Sequence, residues 1–182
     1  IFAADGSGAS IAFAVLFRME EEKRKNISKL ILFSPWLDLS YDNAIYSEKK
    51  SKDKVLNPRD VRYAAELYTT ASNLSNVCVS PLKASDNNFV NFPDVFIQCG
   101  QKEIMLSQAQ QMNDLLTCHG IECTLDVVPE MFYMFQMAGD ALYESSFALE
   151  RAGKYVNGAA ELSDKELSER EQLIKINNIT RE

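Results

Sequence analysis

An α/β fold, a parallel sheet flanked by helices, is what this sequence predicts, and three observations carry that prediction. Short apolar runs alternate along the chain with helix-compatible segments of roughly 10 to 18 residues, the pattern of strands joined by crossover helices. A run of small and apolar residues at the start passes through Asp5-Gly6-Ser7-Gly8 directly into a second apolar segment, which reads as strand, tight turn, helix. Finally, 182 residues of which 46% are hydrophobic suffice for the single sizeable core that such a sheet needs.

Ile1 to Ala4 is the first strand, and Ala9 to Met19 the helix after it. Lys29 to Phe33 is the second strand, closed by Ser34-Pro35-Trp36, because proline denies the ladder a donor. A long polar stretch follows, rich in Ser, Lys and Asp from Ser47 to Lys54. Asn57-Pro58 then opens a helix to about Thr70. Residues 40–75 therefore read as an insertion between core strands. Asp94 to Cys99 is the third strand, Ile104 to Cys118 an amphipathic helix closed by Gly120, and Ile121 to Val128 the fourth strand. A last helix is expected from about Gly139 to Val156. The charged residues 157–182 read as a partly disordered or helical tail. Because the chain opens inside a core strand, without a Met or a signal-peptide layout, the expectation is a fragment whose first strand offers an unpaired edge.

Charge and cysteine usage narrow the function classes. A net charge of -7 and a pI near 4.9 supply no basic surface, so no nucleic-acid partner is expected. The basic group Lys23, Arg24 and Lys25 follows three glutamates and reads as a solvated helix end. The apolar run Ile11 to Phe17 is far shorter than the roughly 20 residues of a membrane span. Cys78, Cys99, Cys118 and Cys123 form no C-x-x-C pair, which favours reduced thiols and an intracellular setting. Cys118, His119 and Cys123 offer metal-ligand atoms, but their spacing fits no usual zinc pattern. No metal or other cofactor is expected.

Five ordered segments carry a resemblance to a known family. Ala4-Asp5-Gly6-Ser7-Gly8-Ala9-Ser10 occupies the strand-to-helix elbow on which α/β-hydrolases lift a nucleophile above the sheet. It is similar to the G-D-S-A-G-G-N of hormone-sensitive-lipase-type esterases. Ser34-Pro35-Trp36-Leu37-Asp38-Leu39 resembles that family's S-P-W-x-D-L, and Ser80-Pro81-Leu82 its S-P-L. Gly100-Gln101-Lys102-Glu103 resembles the loop of the catalytic acid, and Met131-Phe132-Tyr133-Met134-Phe135 the M-x-H-x-F that bears the histidine. The resemblance spans residues 1–156 and implies the C-terminal part of an α/β-hydrolase fold. It implies carboxylic-ester hydrolysis as the family's activity.

Two positions depart from the pattern. Aligned without gaps, Gly6 stands at the nucleophile position and Tyr133 at the base position, which leaves Glu103 at the acid position. Glycine has no side-chain atom to act as nucleophile. A tyrosine titrating near pH 10 does not replace an imidazole titrating near 6.5. Either loss costs on the order of 10⁴ to 10⁶ in kcat in related triads. The His-Gly-Gly oxyanion segment of the family would precede Ile1.

Other readings stand beside this one. Ser7 is either a substitute nucleophile one residue out of register or an ordinary helix-start serine. His119, the only histidine, ends the helix before the fourth strand, whereas the family's histidine follows that strand. A strand of about seven residues at roughly 3.3 Å each sets it about 20 Å away. Glu103 is a vestigial acid or a solvated loop residue, and Ser107 replaces the family's second acidic residue. Trp36 either walls a pocket or packs at a strand end. Met131, Phe132, Tyr133, Met134, Phe135 and Met137 either line an apolar cleft or belong to the core. A dinucleotide turn at Gly6-Ser7-Gly8 fails at Ile11, where the third glycine belongs.

The leading expectation is a catalytically inactive esterase or lipase relative, either a truncated degenerate copy or one that binds a small apolar ligand, an ester or a partner. The family includes a plant hormone receptor that binds a small acid in its former active-site cleft. The competing expectations are an active serine carboxylesterase for short-chain or sterol esters, acting through Ser7 or a nucleophile the motifs do not mark, and a remnant that does not fold stably.

Overall fold

A computed structural model describes residues 1–40 and 53–158 and divides the chain into two compact units, Ile1–Phe135 and Gln136–Glu182. The first unit is built on four parallel strands, β1 (Phe2–Asp5), β2 (Lys29–Phe33), β3 (Asp94–Gly100) and β4 (Cys123–Val128), lying side by side in chain order. Helix α1 (Gly8–Arg18) connects β1 to the short α2 (Glu21–Arg24), α3 (Pro58–Tyr68) lies between β2 and β3, and α4 (Leu106–Cys118) connects β3 to β4. The register pairs Asp5 with Phe33, Phe33 with Gln98 and Gly100 with Val128. Parallel strands in this register bring the turns that follow all four of them to one edge of the sheet.

The predicted elements form because their apolar positions face a common core. Alternate residues of β2 and β3, namely Leu30, Leu32, Val95, Ile97 and Cys99, meet Ala9, Phe13 and Leu16 of α1. Ala109, Met112 and Leu116 of α4 join the same cluster. Phe13, Phe17, Phe89 and Phe92 stack or meet edge-on in its rim. A second cluster joins Trp36 and Leu39 beyond β2 to Val61 and Ala65 of α3 and to Ile104 and Met105. Asn57 caps α3 by accepting the Asp60 N–H at 3.0 Å, as the Asn-Pro pair predicts. The second unit, within its described residues, carries α5 (Tyr143–Asn157), closed by the left-handed Gly158. Ser145 Oγ donates to the Gln136 carbonyl at 2.8 Å.

One expectation about charge is corrected. Lys23 and Lys25 are exposed and pair with Glu20 and Glu22, but Arg24 is buried. Its guanidinium donates to the carbonyls of Met19, Asn88 and Val90 at 3.1, 3.1 and 2.6 Å, because the single turn of α2 points it into the loop before β3. No described helix is long and apolar enough to cross a membrane. Residues 41–52 and the expected tail from residue 159 lie outside the described residues.

Candidate active site

The turn after β1 is fastened to the end of β2. Gly6 N–H donates to the Phe33 carbonyl at 3.0 Å, Trp36 N–H donates to the Gly6 carbonyl at 2.9 Å, and Ser10 Oγ donates to the Trp36 carbonyl at 2.6 Å. Gly6 adopts φ of +45°, a region that costs an ordinary side chain about 1 to 2 kcal/mol. A Cβ built on Gly6 would run into the hydroxyl of Tyr133, so the phenol already fills the space that a side chain at position 6 needs.

Ser7 follows in helical conformation, exposed, and its hydroxyl caps nothing. Ser7 is thus a helix-start serine, as expected, whose side chain makes no cap. A side chain reaches back to the first free N–H groups from extended backbone, and Ser7 has φ of -68° and ψ of -22°.

Glu103, just past β3, is buried rather than solvated. Its Oε1 accepts from Ser34 Oγ at 2.7 Å and from the Gly100 N–H at 2.6 Å. Its Oε2 is buried without a hydrogen-bond partner among the described residues. Burial pushes the carboxyl up to about 8, the two hydrogen bonds oppose that shift, and the charge of Asp53 adds to it. Asp53 comes close because its Oδ2 accepts the Ile104 N–H at 3.0 Å.

Tyr133 sits on the loop after β4, half-buried against the second apolar cluster. Burial, then Glu103, Asp5 and Asp53, push its hydroxyl up to about 12, so it is a neutral donor at pH 7. The loop is pressed onto β3 at Gly100, where any Cβ would collide with the Met131 backbone. Lys102 N–H donates to the Met131 carbonyl at 2.9 Å, and Met134 N–H donates to Ser34 Oγ at 3.1 Å. Glu130 and Met134, on either side of Tyr133, both have positive φ, 62° and 57°.

The structure thus brings Gly6, Glu103 and Tyr133 to one place at the C-terminal ends of the strands, and leaves His119 out of it. Glu103 precedes α4 and His119 follows it, and 13 helical residues at about 1.5 Å each separate the two by roughly 20 Å. Both ring nitrogens of His119 are engaged, with the Leu115 carbonyl at 2.7 Å and Asp86 Oδ1 at 2.9 Å.

Trp36 is buried, with its indole N–H on the Asp38 carbonyl. The Met and aromatic group divides: Phe135 is fully buried, Met137 is mostly exposed, and Met131 to Met134 are half-buried. Two site residues escaped the sequence reading. Ser34 was visible only as part of its Ser-Pro-Trp signature, and Asp53 only as one acid in a polar stretch.

A profile of the alpha/beta hydrolase fold matches residues 1–137. The chain belongs to the α/β-hydrolase family. An acetyl-hydrolase of Streptomyces hygroscopicus is 26% identical over 157 residues, 86% of this chain and 52% of that protein. An esterase of Acinetobacter venetianus is 25% identical over 82% of this chain and 48% of its own length. The chain therefore spans about half the length of the curated relatives it matches. Among solved structures, a hormone-sensitive lipase from a metagenome library superposes with a TM-score of 0.75 at 22% identity, covering 87% of this hydrolase-fold chain and 53% of its own. Carboxyl esterase 2 of Tuber melanosporum does so with a TM-score of 0.75 at 19% identity over 88% and 54%. These neighbours bear out the parallel α/β fold, and the relatives fit the esterase motifs read from the sequence.

Proposed function

We propose that this chain is a catalytically silent member of the carboxylesterase branch of α/β-hydrolases, with Gly6 at the nucleophile position, Tyr133 at the base position and Glu103 as the retained acid. The observation that carries the reading is steric. The Tyr133 hydroxyl lies where a nucleophile side chain on residue 6 would begin, so the place of the reacting atom is taken by a group that does not titrate near neutrality. Acyl transfer of the kind named for the relatives needs an activated nucleophile and a base poised near the working pH. Glu103 holds neither role by itself. It orients a base in a triad, and here its second oxygen faces no imidazole. The site that is left suits binding, of an ester, another small molecule or a partner, without turnover.

A second reading is favoured by one observation: Ser7 is exposed beside the elbow and its hydroxyl caps no helix N–H. It makes the chain an active serine carboxylesterase for short-chain or sterol esters. Intact mass before and after treatment with a fluorophosphonate separates the two. The silent reading expects no adduct and no hydrolysis of a chromogenic ester. An adduct that disappears in Ser7→Ala would establish the active reading.

A further inference from the structure

The strand ends carry an unused acceptor in an acidic setting. Glu103 is only 6% exposed, and its Oε2 has no donor among the described residues. A buried carboxylate oxygen without a donor is costly once it is ionised, so where Glu103 loses its proton its Oε2 gains most from a ligand N–H. Asp53 is fixed next to it through the Ile104 N–H, and Asp5, at the end of β1, turns its Oδ1 toward the start of α1, 3.7 Å from where a Gly8 Cβ would lie. Among the described residues neither Asp5 nor Glu103 has an ion-pair partner, and the nearby Lys102 is taken by Glu130. The apolar side of the same space is the cluster of Trp36, Ile104 and Met105 on which the Tyr133 ring rests.

We infer that this space binds a small organic ammonium ion with an apolar body, which displaces the Tyr133 side chain and gives an N–H to Glu103 Oε2. The inference rests on the silent-site reading. Tyr133 is the movable part: its side chain is half-buried and turns about its own rotatable bonds while the loop stays tied to Lys102 and Ser34. The ring of the ligand replaces the phenol against Trp36, and its ammonium replaces the missing donor. A carboxylate ligand is disfavoured, since it would face Asp5, Asp53 and Glu103 together.

The groups that face Glu103 are Ser34 from the end of β2, the Gly100 N–H and Cys99 from β3, Asp53 ahead of α3 and Tyr133 after β4. Of these, burial and the neighbouring Glu103 push the Cys99 thiol up, and Tyr133 is also raised, so Glu103 is the group expected to change charge between pH 6 and 8.5.

The test titrates the protein with benzylammonium, benzyl alcohol and benzoate, three probes sharing one ring, by calorimetry at pH 6 and 8.5. Benzylammonium is expected to bind at least about tenfold tighter than the alcohol at pH 8.5, the worth of one charge-assisted hydrogen bond. That preference should shrink at pH 6, and benzoate should not bind. Glu103→Gln, shown folded by circular dichroism, should abolish the preference, and the pH profile of the unaltered protein gives the same answer without a variant. Equal affinity for ammonium and alcohol, no saturation by ammonium at millimolar concentration, or a preference unchanged by pH or by Glu103→Gln would each overturn the inference. A fluorophosphonate adduct would instead overturn the silent-site reading, so the two failures are told apart.

Discussion

At the scale of single residues, Gly6 and Tyr133 compete for one volume, and that competition is measurable. A serine at position 6 must hold φ near +45° and must also push the Tyr133 hydroxyl away. The two costs sum to about 2 to 5 kcal/mol, from the left-handed backbone and from overpacking. Gly6→Ser is therefore expected to lower the urea midpoint clearly, and Gly6→Ser combined with Tyr133→Ala should cost less than the two single changes added together. A coupling energy of about 0.5 to 3 kcal/mol from the double-mutant cycle is the expected result. Strict additivity would show that the two side chains do not share the space. Ser34 acts at the same scale. It gives its proton to Glu103 and takes one from Met134, so a single hydroxyl ties the β2 end to both the acid and the tyrosine loop.

Among the elements, α2 shows how far a short helix can matter. Four residues hardly form a helix by propensity, yet they aim the Arg24 guanidinium at three carbonyls, two of them in the loop before β3. Arg24→Gln is expected to destabilise the first unit by about 2 to 4 kcal/mol, because three charge-assisted bonds of a buried guanidinium are lost and part-buried carbonyls lose their donor. Thermal unfolding followed by circular dichroism measures it, and a loss below about 0.5 kcal/mol, typical of surface substitutions, would place Arg24 in solvent. Nothing in the sequence near Arg24 signalled this. A cation after three glutamates reads as exposed, and two of its three acceptors lie more than 60 residues away. The strands were far more legible. Lys29 to Phe33 was bounded correctly because an apolar run met a proline, and the start of α3 because an asparagine preceded one, while its end falls at Tyr68, two residues short of Thr70. Helix α4 starts two residues later than its apolar pattern suggests, since Ile104 and Met105 pack into the second cluster from a turn. Glu103 and Tyr133 were singled out by motif order alone, while the burial of Glu103 depends on contacts between distant segments that no local pattern encodes.

For the molecule as a whole, two titrations act on stability in the same direction. Glu103 has a folded-state value raised from 4.5 to about 8, so the folded form holds a proton that the unfolded form releases. Its contribution is favourable at low pH and is lost as pH rises from about 4.5 through 8. His119 is raised from 6.5, first by its bond to the Leu115 carbonyl and then by Asp86. Its contribution is present below 6.5 and is lost as pH rises through the higher folded value. The chain should therefore unfold at progressively lower temperature from pH 6 to pH 9. Glu103→Gln should flatten most of that slope and His119→Gln a smaller part, since His119 and Asp86 sit near solvent. A melting temperature that rises over this range would contradict both assignments.

The shared volume at Gly6 and Tyr133 also bears on ancestry. If a predecessor carried serine and histidine at these two positions, this backbone favours one order of single changes between that pair and the present one. Loss of serine at position 6 before tyrosine arrives at position 133 avoids a state in which two side chains claim the same space. The way back carries the same cost: a serine returning to position 6 must push the Tyr133 hydroxyl aside, which disfavours that step for as long as the tyrosine is present.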